Sequence, residues 1–177
     1  MTCNKRHRRR RRAGLCAAAA IAASPAIAQA ELPASVVEAM DLALADERQA
    51  FRTYTEVLNQ FGEVRPFSNI VQAEARHIEA LLRLYGVYGA TVPDDQSKAD
   101  PDIGVLDLKA LCAKGVTAEI ENIRLYDDEL IPAVSGHADI ASVFKNLRNA
   151  SADRHLPAFQ RCVHRDGRHG PSLKRSQ

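Results

Sequence analysis

Residues 67–86, FSNIVQAEARHIEALLRLYG, put a carboxylate and an imidazole where a helix would bury hydrocarbon. The apolar residues Phe67, Ile70, Val71, Ile78, Leu81, Leu82 and Tyr85 recur mostly three or four apart, the buried stripe of an amphipathic helix. Glu74 and His77 lie on that same stripe, and being three apart they are neighbours on one face. An ionised carboxylate buried there costs several kcal/mol unless a cation or a strong donor sits against it. A metal ion is one such partner; a hydrogen bond between Glu74 and His77 alone is the other. Arg76, Glu79 and Arg83 fall on the outward face, so they do not decide the question.

The other helical segments bear on it. Residues 35–61 repeat apolar positions at Val36, Met40, Ala43, Phe51, Tyr54, Leu58 and Phe61, and the one gap, between Ala43 and Phe51, holds Glu47. Asp46, Arg48 and Gln49 take the exposed side of that helix. A stop at Gly62, a bend at Pro66 and a cap at Ser68 lead into the second helix. A third stripe over residues 105–131 runs through Val105, Leu108, Cys112, Val116, Ile123, Tyr126 and Leu130, with Glu119 inside it, Asn122 a turn further on and Pro132 as its end. A fourth, from about residue 138, runs through Ile140, Phe144, Leu147, Ser151, Ala158 and Cys162, with His155 inside it. Pro157 predicts a kink there and a released backbone carbonyl near Asp153.

Each of the four helices therefore carries a metal-ligating side chain within its own apolar stripe: Glu47, Glu74 with His77, Glu119, and His155. Three carboxylates and two imidazoles in one core are far harder to satisfy by mutual hydrogen bonds than one pair is. Carboxylate oxygens with a few imidazole nitrogens favour iron or manganese over a structural zinc site. The stretch between the second and third helices, residues 86–104, is rich in Gly, Pro and Asp and has no periodicity. At about 3.3 Å per residue it is long enough to return along the whole of a 20-residue helix of about 30 Å, as a crossover in a helical bundle must.

At ALADERQAF, FSNIVQAEARHIEALLRLYG, GVTAEIENIRLYDDEL and VFKNLRNASADRHLPAF the sequence resembles the ferritin-like superfamily of di-iron carboxylate proteins. Their pattern is Glu, then Glu-x-x-His, then Glu, then Glu-x-x-His. More narrowly, it is similar to a bacterial ferritin-like family catalogued as a domain of unknown function, family 2202. The resemblance implies an all-α, ferritin-like four-helix bundle with a long crossover between helices 2 and 3. It also implies a metal site of Glu47, Glu74, His77, Glu119 and His155, with Asn122 as a weaker oxygen donor. The pattern is broken at position 152, where alanine stands for the fourth glutamate. The expected cofactor is accordingly iron, with manganese as the alternative, as one or two ions.

Ahead of this body, residues 1–30 read as a signal peptide. Lys5, Arg6 and Arg8 to Arg12 are followed by a short Ala-, Ile- and Leu-rich run and then by Ala28-Gln29-Ala30, so cleavage is expected before Glu31. The run is shorter than the roughly 20 residues that span a bilayer and is broken by Pro25, which argues against stable membrane insertion once the leader is cleaved. A nucleic-acid-binding arm is the rival reading of the arginines. The leader holds seven of the 24 Lys and Arg and none of the 22 Asp and Glu, leaving 17 against 22. The body is therefore acidic and no nucleic-acid partner is expected. Residues 31–163 suit one domain, and residues 164–177 form a polar tail with His164 and His169.

Export makes the protein periplasmic or secreted, where cysteines oxidise. Cys112 lies seven residues before Glu119 and Cys162 seven after His155, so in antiparallel helices the two can meet as a disulfide; two buried thiols are the alternative. Two function classes remain. One is an oxidoreductase acting on Fe(II) with oxygen or peroxide, in which Tyr54 or Tyr126 supplies an electron. The other is a metal-binding or sequestration protein with a degenerate one-metal site.

Overall fold

The computed structural model describes residues 31–165, which are all-helical, with no strand among them. The leader, its cleavage site and His169 lie outside the described residues. Helix α1 (Ala34–Phe61) stops at Gly62, whose positive φ of 74° is open to glycine at little cost and whose N–H closes on the Leu58 carbonyl. A cis Arg65–Pro66 bond turns the chain into α2 (Phe67–Tyr88). Pro66 itself occupies the cap position and no side chain caps the helix, so Ser68 is not the expected cap. The helix also runs past Gly86 to Gly89, the residue with left-handed backbone (φ 65°). Tyr88 in the added turn donates to Asp139 at 2.8 Å.

The connection that follows is tied down along its length. Arg48 donates to the Pro93 carbonyl at 2.9 Å, Gln49 exchanges hydrogen bonds with the backbone of Lys98, and Ile103, in the 3-10 turn Pro101–Gly104, is buried. Helix α3 (Leu108–Leu125) begins only at Asp107, whose carboxylate accepts from the Ala110 N–H at 2.8 Å. Val105 is left outside it and 81% exposed, contrary to the expected start at residue 105.

Pro132 lies one residue from the end of its helical run, and Pro157 lies just after a local change of helical period. After α3 the chain takes one π-helical turn, Tyr126–Leu130, and continues as α4 (Ile131–Ala133) with Pro132 in its first turn. After α5 (Ala138–Ala150) a second π turn, Ser151–His155, leads into α6 (Leu156–Val163) with Pro157 in the same place. Proline lacks an N–H and crowds the carbonyl four residues back; an inserted wide turn absorbs both defects, and such turns gather at functional sites. The result is four rods: α1, α2, α3 through α4, and α5 through α6.

Cross-rod pairs give their directions. Asp41 with Tyr85 and Glu47 with His77 make α1 and α2 antiparallel. Glu47 with Tyr126 and Tyr54 with Glu119 make α1 and α3 antiparallel. Helices α2 and α3 therefore point the same way, which is why a long return is needed between them.

The apolar core is split in two. One cluster gathers Val36, Met40, Leu44, Leu81, Tyr85 and Phe144; the other gathers Tyr54, Val57, Phe67, Leu111, Cys112 and Phe159. On every rod the candidate ligands lie between the residues of the two clusters. Phe51, assigned to the α1 stripe, is instead 36% exposed. In the second cluster Cys112 and Cys162 form a disulfide, with Cα atoms 5.9 Å apart, joining α3 to α6. Gly115 lets the same two helices approach, since a Cβ there would stand 2.6 Å from the Phe159 ring. No helix among the described residues is long and apolar enough to cross a membrane.

Candidate metal centre

Glu47, Glu74, Glu119 and His155 are each at most 4% exposed, and His77 is largely covered. They form two triads, Glu47–Glu74–His77 and Glu74–Glu119–His155, in each of which the ligand-type atoms lie within 4.8 Å of one another. Glu74 belongs to both. Its Oε2 is 2.9 Å from His77 Nδ1 and its Oε1 is 3.2 Å from His155 Nδ1, so one carboxylate turns an oxygen to each side. The rings of His77 and His155 stack at 5.7 Å.

Two tyrosines fix the outer carboxylates reciprocally. Tyr126 donates to Glu47 Oε1 at 3.0 Å and Tyr54 donates to Glu119 Oε1 at 3.1 Å. That leaves Glu47 Oε2 facing His77 at 3.0 Å and Glu119 Oε2 facing His155 at 3.6 Å. Each tyrosine stands seven residues after the glutamate on its own helix, two helical turns, so the antiparallel pairing of α1 with α3 generates both bonds at once.

The protonation states follow from burial and from these pairings. Burial pushes the Glu74 carboxyl well up; the hydrogen bond from His77 opposes this only in part, and the Glu47 charge adds to it. Burial would raise Glu47 too, but the hydrogen bond and charge of His77 outweigh it and hold Glu47 below its ordinary value. Burial alone would lower His77, yet its bonds to Glu47 and Glu74 carry it up to about 10. Tyr54 and Tyr126 are pushed well above their ordinary range by burial and by the carboxylates beside them, so both remain neutral donors.

The donor set fits a metal ion on two counts. Atoms bound to one ion at about 2.1 Å stand roughly 3 Å apart as neighbours around it, close to the separations seen here. His155 Nδ1 is buried without a hydrogen bond: Glu74 is near enough, but off the direction in which the ring would donate. A ligand atom waiting for an ion looks like this, whereas a self-satisfied polar core leaves no such orphan. Glu47, Glu74 and His77 would hold one ion, and Glu74, Glu119 and His155 a second.

Two placements differ from the sequence reading. Asp46, assigned to the exposed side of α1, turns inward and accepts from Asn122 Nδ2 at 2.5 Å; burial and the Glu47 charge raise its carboxyl to about 6. Asn122 is thereby engaged with Asp46, while its Oδ1 is buried without a partner. The gap in the ligand pattern also moves. In the π turn the residue that shares the inward face with His155 is Ser151, 4% exposed, while Ala152 is half-buried at the side. The Glu-x-x-His pattern of the resemblance points to position 152, whereas the apolar stripe already runs through Ser151, and the π turn keeps that residue on the inward face. His137, at the start of α5, is half-buried, and its ring meets Tyr88 at 6.3 Å.

A cavity of about 720 Å³ opens onto the carboxylate side of the centre, between α1, α3 and the crossover. Glu47, Glu74, Glu119, Tyr54, Asn122 and Ser151 form its floor, and neither His77 nor His155 lines it.

The uncharacterized protein domain DUF2202 matches residues 37–177, a span that includes every residue of the two triads. No curated protein and no solved structure matches the chain.

Proposed function

The chain belongs to the DUF2202 family, and from its centre we propose that it is an exported ferritin-like metalloprotein holding two ions of iron or manganese for redox chemistry with oxygen or peroxide. The observation that carries this reading is Glu74, one carboxylate shared between two triads with an oxygen directed to each. A single structural ion would need only one triad. Bound iron(II) would supply the electrons that oxygen or peroxide takes up.

The chain's own groups do the rest. Tyr126 and Tyr54 hold Glu47 and Glu119 by one oxygen each, leaving the other oxygen free to bind. Second partners of this kind fix the orientation of metal ligands. Each phenol also has a carboxylate ready to take its proton, which a tyrosine needs if it is to give up an electron. The cavity delivers small molecules to the carboxylate side, while the two apolar clusters keep bulk water from the remaining sides. The disulfide and the cationic, apolar leader support action outside the cytoplasm.

Ser151, standing where a fourth carboxylate would complete the pattern, favours a second reading in which one ion is held without turnover. The two separate on anaerobic loading with Fe(II) followed by oxygen or hydrogen peroxide. Catalytic oxidation of excess Fe(II), lost in Glu74→Ala, supports the oxidoreductase. Oxidation of no more than the bound iron, in a single event, supports the binding protein and overturns the first proposal.

A further inference from the structure

Each triad offers an ion three protein atoms, one from each residue. Iron and manganese among carboxylate and imidazole ligands take about six, so about three positions on each ion are left to other donors. The ligand pattern would fill one of them with a fourth carboxylate beside His155, and the residue on that inward face is Ser151. A serine hydroxyl stops well short of the reach of a glutamate carboxylate and carries no charge. Ser151 also lines the cavity, together with Glu74 and Glu119 of the same triad, so the place of the missing carboxylate is open to the cavity.

The lining of that cavity is mostly charged or polar, with seven carboxylates and two lysines, Lys98 and Lys114. Empty of metal, such a site repels an anion. Two divalent ions at its floor reverse the local sign, because their four positive charges exceed the three negative charges of Glu47, Glu74 and Glu119. Of the other carboxylates, Asp46 is engaged by Asn122, Asp100 and Asp102 are paired with Lys114, and Glu121 is exposed. A free carboxylate then matches both the charge and the ligand type of the missing glutamate. We propose that the cavity binds a small monocarboxylic acid, whose carboxylate takes the place left open at Ser151 on the ion of Glu74, Glu119 and His155. Its binding there requires the ions and so rests on the metal reading above. A volume of about 720 Å³ leaves room for the body of such an acid behind its carboxylate.

The test titrates sodium propionate at constant ionic strength into the Co(II)-loaded full chain, following the visible absorption of Co(II), with 1-propanol as the uncharged control and cobalt content measured on the same samples. A saturable change with one propionate per chain, and none with 1-propanol, is expected. Ser151→Glu, or Ser151→Asp if that variant does not fold, should hold its more weakly bound ion at least ten-fold more tightly than the parent and lose the propionate response. The tighter metal binding separates a carboxylate that ligates from one that merely blocks the cavity. Cobalt uptake with a spectrum that propionate does not move overturns this inference and leaves the metal reading standing. No cobalt uptake overturns the metal reading and this inference with it. A propionate response that persists in the variant, or that 1-propanol reproduces, overturns the assignment of a carboxylate to the place at Ser151.

Discussion

Reducing the Cys112–Cys162 bond should cost the protein about a third or more of a typical domain's stability while leaving the metal centre intact. The bridge spans 50 residues of sequence, and in the chain-entropy treatment a closed loop of that length restrains the unfolded chain by about 4 kcal/mol at 25 °C. Its Cα separation of 5.9 Å lies within the ordinary range, so the folded state asks for no backbone movement. For a domain of this size 4 kcal/mol is a fall in melting temperature of roughly 12 °C. The assay is thermal and urea unfolding of oxidised and fully reduced protein, with thiol titration to prove reduction. Neither cysteine belongs to a triad, so zinc or manganese bound per folded chain should be equal in the two forms. A stability loss below about 1 kcal/mol would refute the loop argument. Loss of metal in a folded, reduced protein would refute the separation of the bridge from the centre.

Other consequences are open to direct measurement. Tyr54→Phe and Tyr126→Phe each remove a hydrogen bond to a buried carboxylate, which should cost about 1.5–3 kcal/mol in denaturant titrations. Metal affinity should fall about 10–100-fold with either change, and by calorimetry neither should abolish binding. Gly115→Ala drives a methyl group into the Phe159 ring and should cost about 1–3 kcal/mol, with Phe159→Leu restoring part of the loss in the double variant. Metal affinity should also depend on pH. His77 is carried up to about 10 because its bonds to Glu47 and Glu74 outweigh its burial, and burial pushes the Glu74 carboxyl well up. An ion must displace these protons, so affinity rises with pH through the neutral range, about ten-fold per unit for each proton released. A flat affinity between pH 6 and 8 would show that the resting centre is unprotonated.

Why the helices and the central residues could be read from sequence is plain at Glu47. It fills a gap in an otherwise regular apolar stripe, and no other helical position explains a carboxylate there. Glu74, His77 and Glu119 stand out in the same way because α2 and α3 keep 3.6 residues per turn through them. The reading fails where that period fails. At the π turn Ser151–His155 the Glu-x-x-His pattern points to Ala152, but it is Ser151, already on the apolar stripe, that faces inward beside His155. Asp46 departs from its expected outward place for a different reason: it is beside Glu47 on the wheel, and the approach of Asn122 from α3 draws it inward. Val105 and Ser68 show that one apolar residue, or one good capping residue, does not locate a helix end when Asp107 or Pro66 closes it better. The bonding of Tyr54 and Tyr126 to the glutamates is not legible in sequence, because it depends on the antiparallel register of α1 and α3.

The most direct test of a shared Glu74 is metal content per chain by elemental analysis after anaerobic reconstitution with Fe(II), parent beside Glu74→Ala. Two iron atoms in the parent, and none held tightly in the variant, is the expected result, because one substitution removes a ligand from both triads. Two ions retained in Glu74→Ala, or no iron in a parent as stable as the variant, would contradict it.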